Sequence, residues 1–121
     1  MWPLVQITKS LSDETRLRCL AALRGRELCL CHLTALLELA PSTISKHLSL
    51  LRAAGLLTSW KDGRWVHFRW STPEESPLAA DFLACLGRLF SQDPRLLQDE
   101  ERLRGILDLP LEDLCRPTRE K

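Results

Sequence analysis

Apolar residues recur every three or four positions through most of the chain, and the breaks in that rhythm divide it into short elements. The first segment, Trp2 to Leu11, reads as a helix carrying Trp2, Leu4, Val5 and Ile7. These are more apolar than a lone terminal helix needs, so they pack on the domain's own core or on a second subunit. Ser12 reads as an N-cap, with Asp13 and Glu14 in the first turn, where acids suit the helix dipole. The helix that follows turns Leu17, Leu20, Ala21 and Leu23 inward and stops near Gly25. Cys19, in its middle, reads as a buried structural thiol.

Residues 27–40 hold a pair of cysteines, Cys29 and Cys31, and then a short helix with Leu33, Leu36 and Leu37 inward. Pro41 fits the first position of the next helix, where a missing N–H costs nothing. There Ile44, Leu48 and Leu51 make the buried stripe. Ser42, Thr43, Ser45, Lys46, Ser49 and Arg52 fall largely on the other side, and Gly55 ends the helix. Two short helices with a tight connection and a polar outer face on the second make a helix-turn-helix. Short hydroxyls suit close approach to base edges and phosphates, and Lys46 and Arg52 supply charge.

The period then changes from about 3.6 to two. Leu56 to Lys61 and Trp65 to Ser71 are strand-like runs around Asp62-Gly63, a strong hairpin signal. Val66, Phe68 and Trp70 alternate with Trp65, His67 and Arg69, and Lys61 and Arg64 flank the tip. A basic-tipped hairpin directly after a helix-turn-helix is a wing. Thr72 to Pro77 is a linker. Leu78 to Ser91 reads as a helix with Leu78, Phe82, Leu86, Leu89 and Phe90 on one broad face. That is more apolar surface than one small domain covers, so this helix is expected to pair with the first helix and with its own copy. Asp93-Pro94 breaks the chain, and Arg95 to Asp108 is a charged amphipathic helix. The tail from Leu109, which holds Cys115, is expected to fray. The predicted class is mainly α with a β-hairpin wing: a winged helix-turn-helix, dimeric through its N- and C-terminal helices. Residues 1–91 form that domain and residues 92–121 a C-terminal extension, helical and then flexible.

Composition narrows the function. A chain of 121 residues with 45% hydrophobic content suits one domain. The formal net charge is only +1, so any basic surface must be local and offset by acids elsewhere. Lys9, Asp13, Glu14 and Arg16 interrupt any leader-like apolar run, and no apolar stretch is long enough to span a bilayer. A cytoplasmic location is expected, where the five cysteines are reduced and serve as core residues, metal ligands or redox sensors. No Gly-rich phosphate loop, paired-carboxylate arrangement or triad pattern marks an enzyme.

Three stretches together resemble a known family: Glu-Leu-Cys-Leu-Cys-His-Leu at 27–33, Ser-Thr-Ile-Ser-Lys-His-Leu at 42–48 and Lys-Asp-Gly-Arg-Trp-Val-His-Phe-Arg at 61–69. They look like the ArsR/SmtB repressors, over roughly Leu4 to Phe90. The resemblance implies a homodimeric winged-helix repressor that leaves double-stranded operator DNA when a metal or metalloid binds. The cysteine pair points to the arsenic-responsive branch, whose motif reads Glu-Leu-Cys-Val-Cys-Asp-Leu-Cys. Cys29 and Cys31 match its first two cysteines, His32 stands in place of Asp, and Thr34 in place of the third Cys. The family also has a zinc-type site of Asp and His on its last helix. Here Asp81 has no His partner between Pro77 and Phe90, so that site is expected to be absent.

Two residues at i and i+2 on a straight helix point to nearly opposite sides. Cys29 and Cys31 can therefore share one ion only if Cys29 lies outside the helix or the first turn opens. Thiolates select soft ions over calcium or magnesium. Arsenic(III) or antimony(III) takes three sulfurs, and zinc, cadmium or lead usually three or four donors, so two cysteines are too few. Cys115, from the same subunit or its partner, is the first candidate for the missing donor. His32, whose imidazole suits zinc better, or an exogenous ligand (solvent, chloride, a small thiol such as glutathione) are the others. Cys85 reads as core, His47 as a packing or hydrogen-bonding residue and His67 as a solvated wing residue.

The expected DNA contacts are Ser42, Thr43, Ser45 and Lys46 to bases or nearby phosphates, with Arg52, Lys61 and Arg64 adding charge along the backbone. Two other readings stay open. The cysteines could sense oxidants through a reversible disulfide, with Cys115 the better-placed partner in sequence. Or the winged helix could bind protein instead of DNA.

Overall fold

A computed structural model describes residues 1–114. Among them the elements run α1 (Trp2–Ser10), α2 (Glu14–Ala22), β1 (Leu28–Cys29), α3 (Leu30–Leu37), α4 (Pro41–Ala53), β2 (Leu57–Asp62), β3 (Trp65–Trp70), α5 (Pro77–Phe90), α6 (Pro94–Leu107) and α7 (Leu111–Leu114). The architecture is a winged helix-turn-helix. No helix among the described residues is long and apolar enough to cross a membrane.

The helix stripes fold as their spacing requires. Leu20 and Leu23 of the α2 region, Leu33 and Leu36 of α3, and Ile44, Leu48 and Leu51 of α4 are fully buried in one shared core. Each buried leucine contributes about 1.5–3 kcal/mol, and their convergence holds α3 against α4. Cys19 is buried among them as expected, and burial pushes its thiol up to about 12. Gly55 turns the chain from α4 into β2 at φ +86. A Cβ there would also lie 2.8 Å from Ser76 Oγ, which would have to turn aside, so the positive φ is the feature that requires glycine.

Several expectations change. The N-cap of α2 is Asp13, not Ser12: the Asp13 carboxylate accepts the Arg16 N–H at 3.0 Å, while Ser12 Oγ donates back to Lys9 O. That N–H holds the Asp13 carboxyl below its usual range. The hairpin pairs Asp62 with Trp65, so the two-residue loop is Gly63-Arg64, with Gly63 at φ +63. The sheet has a third strand: β1 joins the free edge of β3, giving the order β1-β3-β2.

α5 buries Ala79, Leu83, Gly87 and Phe90 against the domain, so of the broad apolar face only Phe90 is fully covered and the rest is surplus to one domain. Leu78, Cys85 and Leu89 are exposed, and Phe82 and Leu86 are half-buried. This helix is apolar around most of its girth, so spacing alone does not choose the inward side. Cys85 is accordingly a surface residue, not a core one.

α6 is bolted to the domain by charge as well as by Leu103. Arg18 of α2 grips the buried Asp99 with two bonds of 2.8 and 3.0 Å, and Arg26 meets Glu100 at 2.7 Å. Within the segment from Leu109 expected to fray, Leu111–Leu114 forms a helical turn against α3. Cys115 lies outside the described residues.

Candidate functional site

The cysteine pair sits at the joint between the wing sheet and the helix-turn-helix. Cys29 is the last residue of β1 and the N-cap of α3, in extended backbone, and Cys31 is in the helix's first turn. The geometric condition for two cysteines at this spacing is therefore met in its first form: Cys29 lies outside the helix. Cys29 is buried and Cys31 half-buried.

His32 occupies the third helical position and closes a capping box with Cys29. Its Nδ1 accepts the Cys29 N–H at 3.0 Å, while the Cys29 side chain faces the His32 N–H. Burial, reinforced by the nearby His67, holds the His32 imidazole below 6.5. One ring nitrogen of His32 is thereby committed to the backbone. Thr34, standing where a third cysteine was expected, donates its hydroxyl to Cys31 O at 3.0 Å. Among the described residues, no three His, Cys, Asp or Glu side chains gather closely enough to hold a metal ion.

α3 is fixed at its far end too. Glu38 ends it in the left-handed region at φ 58, and Arg102 of α6 donates to Leu36 O at 2.7 Å and to Glu38 at 3.1 Å. A disturbance at Cys29 thus acts on a helix whose other end is anchored.

α4 presents the predicted polar face. Ser42, Thr43, Ser45, Lys46 and Arg52 are all exposed, as are Lys61 and Arg64 near the hairpin tip. Arg52 reaches across to β2 and donates to Ser59 Oγ at 2.8 Å, tying the helix to the wing. The Arg64 guanidinium lies 4.4 Å from the Trp65 ring centroid. His47 hydrogen-bonds as expected: Arg16 donates to its Nδ1 at 3.1 Å and also to Ser10 O at 2.6 Å, clamping α4 to the turn between α1 and α2.

His67 departs from its expected solvated place. It is half-buried, stacked on Trp60 at 5.5 Å between centroids, and paired across the sheet with Cys29. Alternation along β3 placed His67 opposite in sense to Phe68, but nothing in the sequence named β1 as the neighbour. The linker is held by Glu75, which takes two bonds from Arg69 and one from the Thr72 N–H. These hold its carboxyl at about 2.

Residues 13–59 match the profile of the bacterial regulatory protein, arsR family. Over 68 residues the chain is 47% identical to the arsenical resistance operon repressor of Escherichia coli (strain K12), covering 55% of this chain and 58% of that protein. Over 82 residues it is 34% identical to the arsenical resistance operon repressor of Bacillus subtilis (strain 168), covering 66% of this chain and 77% of that one. The fold superposes on HlyU from Vibrio cholerae N16961 with a TM-score of 0.64 at 32% identity, over 74% of this chain and 94% of that one. A helix-turn-helix followed by a wing agrees with these likenesses, and the chain belongs to the arsR family of bacterial regulatory proteins.

Proposed function

We propose that this chain is a homodimeric transcriptional repressor that leaves its operator when arsenic(III) or antimony(III) binds cysteine thiolates. The observation that carries this reading is the placement of Cys29 at the N-cap of α3, with Cys31 in its first turn and α3 packed against α4. A soft ion held by both sulfurs would draw the N-cap residue toward the first turn and break the capping box. The helix carrying the DNA-contacting residues packs on the helix so disturbed. A coupling of about 1–3 kcal/mol corresponds to a loss of DNA affinity of up to about a hundredfold, enough to free a promoter.

The donor set suits a thiophilic ion, and it is incomplete with two cysteines. Cys115 is the proposed third donor. Its support is the packing of α7 on α3, since Leu114 is the residue before it. His32 is the weaker candidate because its Nδ1 already accepts the Cys29 N–H. Homodimerisation is proposed through α1 and α5, whose exposed Trp2, Leu4, Leu78 and Leu89 leave an uncovered apolar surface. Ser42, Thr43, Ser45, Lys46, Arg52, Lys61 and Arg64 are the proposed DNA contacts.

The test is release of a fluorescent duplex, selected by the protein from a random library, during titration with arsenite, antimonite, cadmium, lead and zinc. Arsenite should release wild type, and Cys29→Ser and Cys31→Ser should stay bound. Normal release by both variants would sink the mechanism. Cys115→Ser should need more arsenite if Cys115 is the third donor. The packing of α7 on α3 also favours a second reading, a reversible Cys31–Cys115 disulfide. Mild peroxide followed by mass spectrometry separates the two: a linked pair with lost DNA binding supports redox sensing.

A further inference from the structure

The wing sheet contains an arrangement that neither DNA contact nor ion binding by itself explains. β1 pairs with β3 so that Cys29 faces His67, and β3 pairs with β2 so that His67 faces Trp60. Residues directly opposite in antiparallel strands project to the same face, with Cβ atoms about 5 Å apart. Cys29, His67 and Trp60 therefore form one lateral row across the whole sheet. The His67 ring lies nearly parallel to the Trp60 indole, 21° between planes and 5.5 Å between centroids. Beyond it, the Arg69 guanidinium sits 5.9 Å from the Trp60 ring and is held by Glu75. The adjoining row, Leu28, Phe68 and Ser59, projects to the opposite face, where Ser59 receives the bond from Arg52.

We propose that His67 is a positioning residue for the cysteine site, and that the Cys29–His67–Trp60 row carries the state of that site to the wing. This rests on the reading of Cys29 as an inducer ligand. A ligand that draws the Cys29 sulfur toward Cys31 must turn its Cβ, and the His67 ring is its cross-strand neighbour. Flat stacking passes that displacement to Trp60, which adjoins Lys61 on the strand leading to the tip. The recognition helix is reached separately, through α3 packed on α4 and through Arg52 on Ser59. Release from DNA then has two arms, one through the helix and one through the wing.

The test uses the full chain labelled with 5-fluorotryptophan, the Trp60 fluorine resonance being assigned with Trp60→Phe. Arsenite is added, and bound arsenic is measured independently by elemental mass spectrometry. In wild type the Trp60 resonance should move in step with bound arsenic. His67→Phe, which keeps a stacked ring, should retain that shift, and His67→Ala should bind arsenic while Trp60 stays still. Wild type that binds arsenic with Trp60 unmoved overturns the row and leaves the functional reading standing. A full shift in His67→Ala does the same. Wild type that binds no arsenic, or Cys29→Ser that binds it as tightly, overturns the functional reading and this inference with it. The wild-type measurement decides the wing arm even if His67→Ala fails to fold.

Discussion

The Nδ1 atom of His32 lies 3.0 Å from the backbone nitrogen of Cys29 and accepts its hydrogen. This bond gives the His in place of the family's Asp a definite task. At the third helical position either side chain can accept the N-cap N–H, so the substitution preserves the start of α3 while changing its charge.

His32→Ala removes the acceptor and leaves that N–H without it. Its expected cost is about 1 kcal/mol, typical of a lost helix cap. His32→Asp should restore most of it. Urea denaturation of the three proteins checks this, and equal midpoints for wild type and His32→Ala would refute the capping role.

The pairing of Arg18 with Asp99 is the strongest fastening of α6. The side chains are only 12% and 7% exposed, so removing one partner strands the other in a poorly solvated place. Asp99→Ala should lose about 3–5 kcal/mol, whereas Arg18→Met combined with Asp99→Leu should recover much of that, because no buried charge then remains. A double variant as unstable as the single would show that the loss comes from packing and not from the stranded guanidinium.

How far these features are legible in the sequence depends on the range of the interaction involved. The buried stripes Leu33-Leu36-Leu37 and Ile44-Leu48-Leu51 follow from local periodicity, and so does the wing, whose turn the Asp62-Gly63 signal places to within one residue. The cysteine pair was visible as a motif, including the need for Cys29 to lie outside the helix. Its partners were not. β1 is two residues long, too short for alternation to register, and it exists only because β3 offers an unpaired edge. With β1 unseen, the place of His67 beside Cys29 was unseen too. The inward side of α5 was ambiguous because Leu78, Phe82, Cys85 and Leu89 are as apolar a stripe as the one it buries. α7 was hidden because four residues carry no period, and only its contact with α3 gives it a place.

Glu75 supplies a pH-dependent contact at the base of the wing. Its folded pKa is lowered from 4.5 to about 2, first by the Arg69 hydrogen bonds and then by the Thr72 N–H. A depressed carboxylate stabilises the fold above its unfolded value and loses that contribution as pH falls through its folded value. The clamp is therefore complete at neutral pH and is lost as pH falls from 4.5 to about 2. The Thr72 amide resonance should titrate with that low midpoint in wild type and show no such step in Glu75→Gln. A midpoint near 4.5 would contradict the clamp.

Thiol reactivity should sort the cysteines by burial. Cys85 is exposed and Cys29 and Cys19 are buried, with burial pushing Cys19 up to about 12. The thiolate is the reactive form, so N-ethylmaleimide at neutral pH should modify Cys85 well before Cys29 and leave Cys19 untouched until unfolding. Cys85 lies in the exposed stripe with Leu78 and Leu89 that is proposed to pair with a second copy. Its labelling should therefore slow as protein concentration rises. A rate independent of concentration, in a protein that sedimentation shows to be dimeric, would place the dimer contact elsewhere.

The basic residues of the wing and of α4 make separable predictions for DNA. Lys61 and Arg64 are exposed and clear of any salt bridge among the described residues, so each is available to a phosphate. Each phosphate contact contributes about 0.9 to the slope of log affinity against log salt, and a dimer makes each contact twice. Arg64→Ala should therefore lower the slope by about 1.8 and weaken binding similarly for matched and mismatched duplexes. Lys46→Ala lies among the hydroxyls proposed to face base edges, and should also narrow the gap between those duplexes. Arg52→Ala removes a charge and frees Ser59, so its effect should exceed that of Arg64→Ala. Arg104→Ala, exposed on α6, which carries none of the proposed contacts, is the control and should leave the slope unchanged. An Arg64→Ala slope equal to wild type would remove the wing tip from the DNA interface.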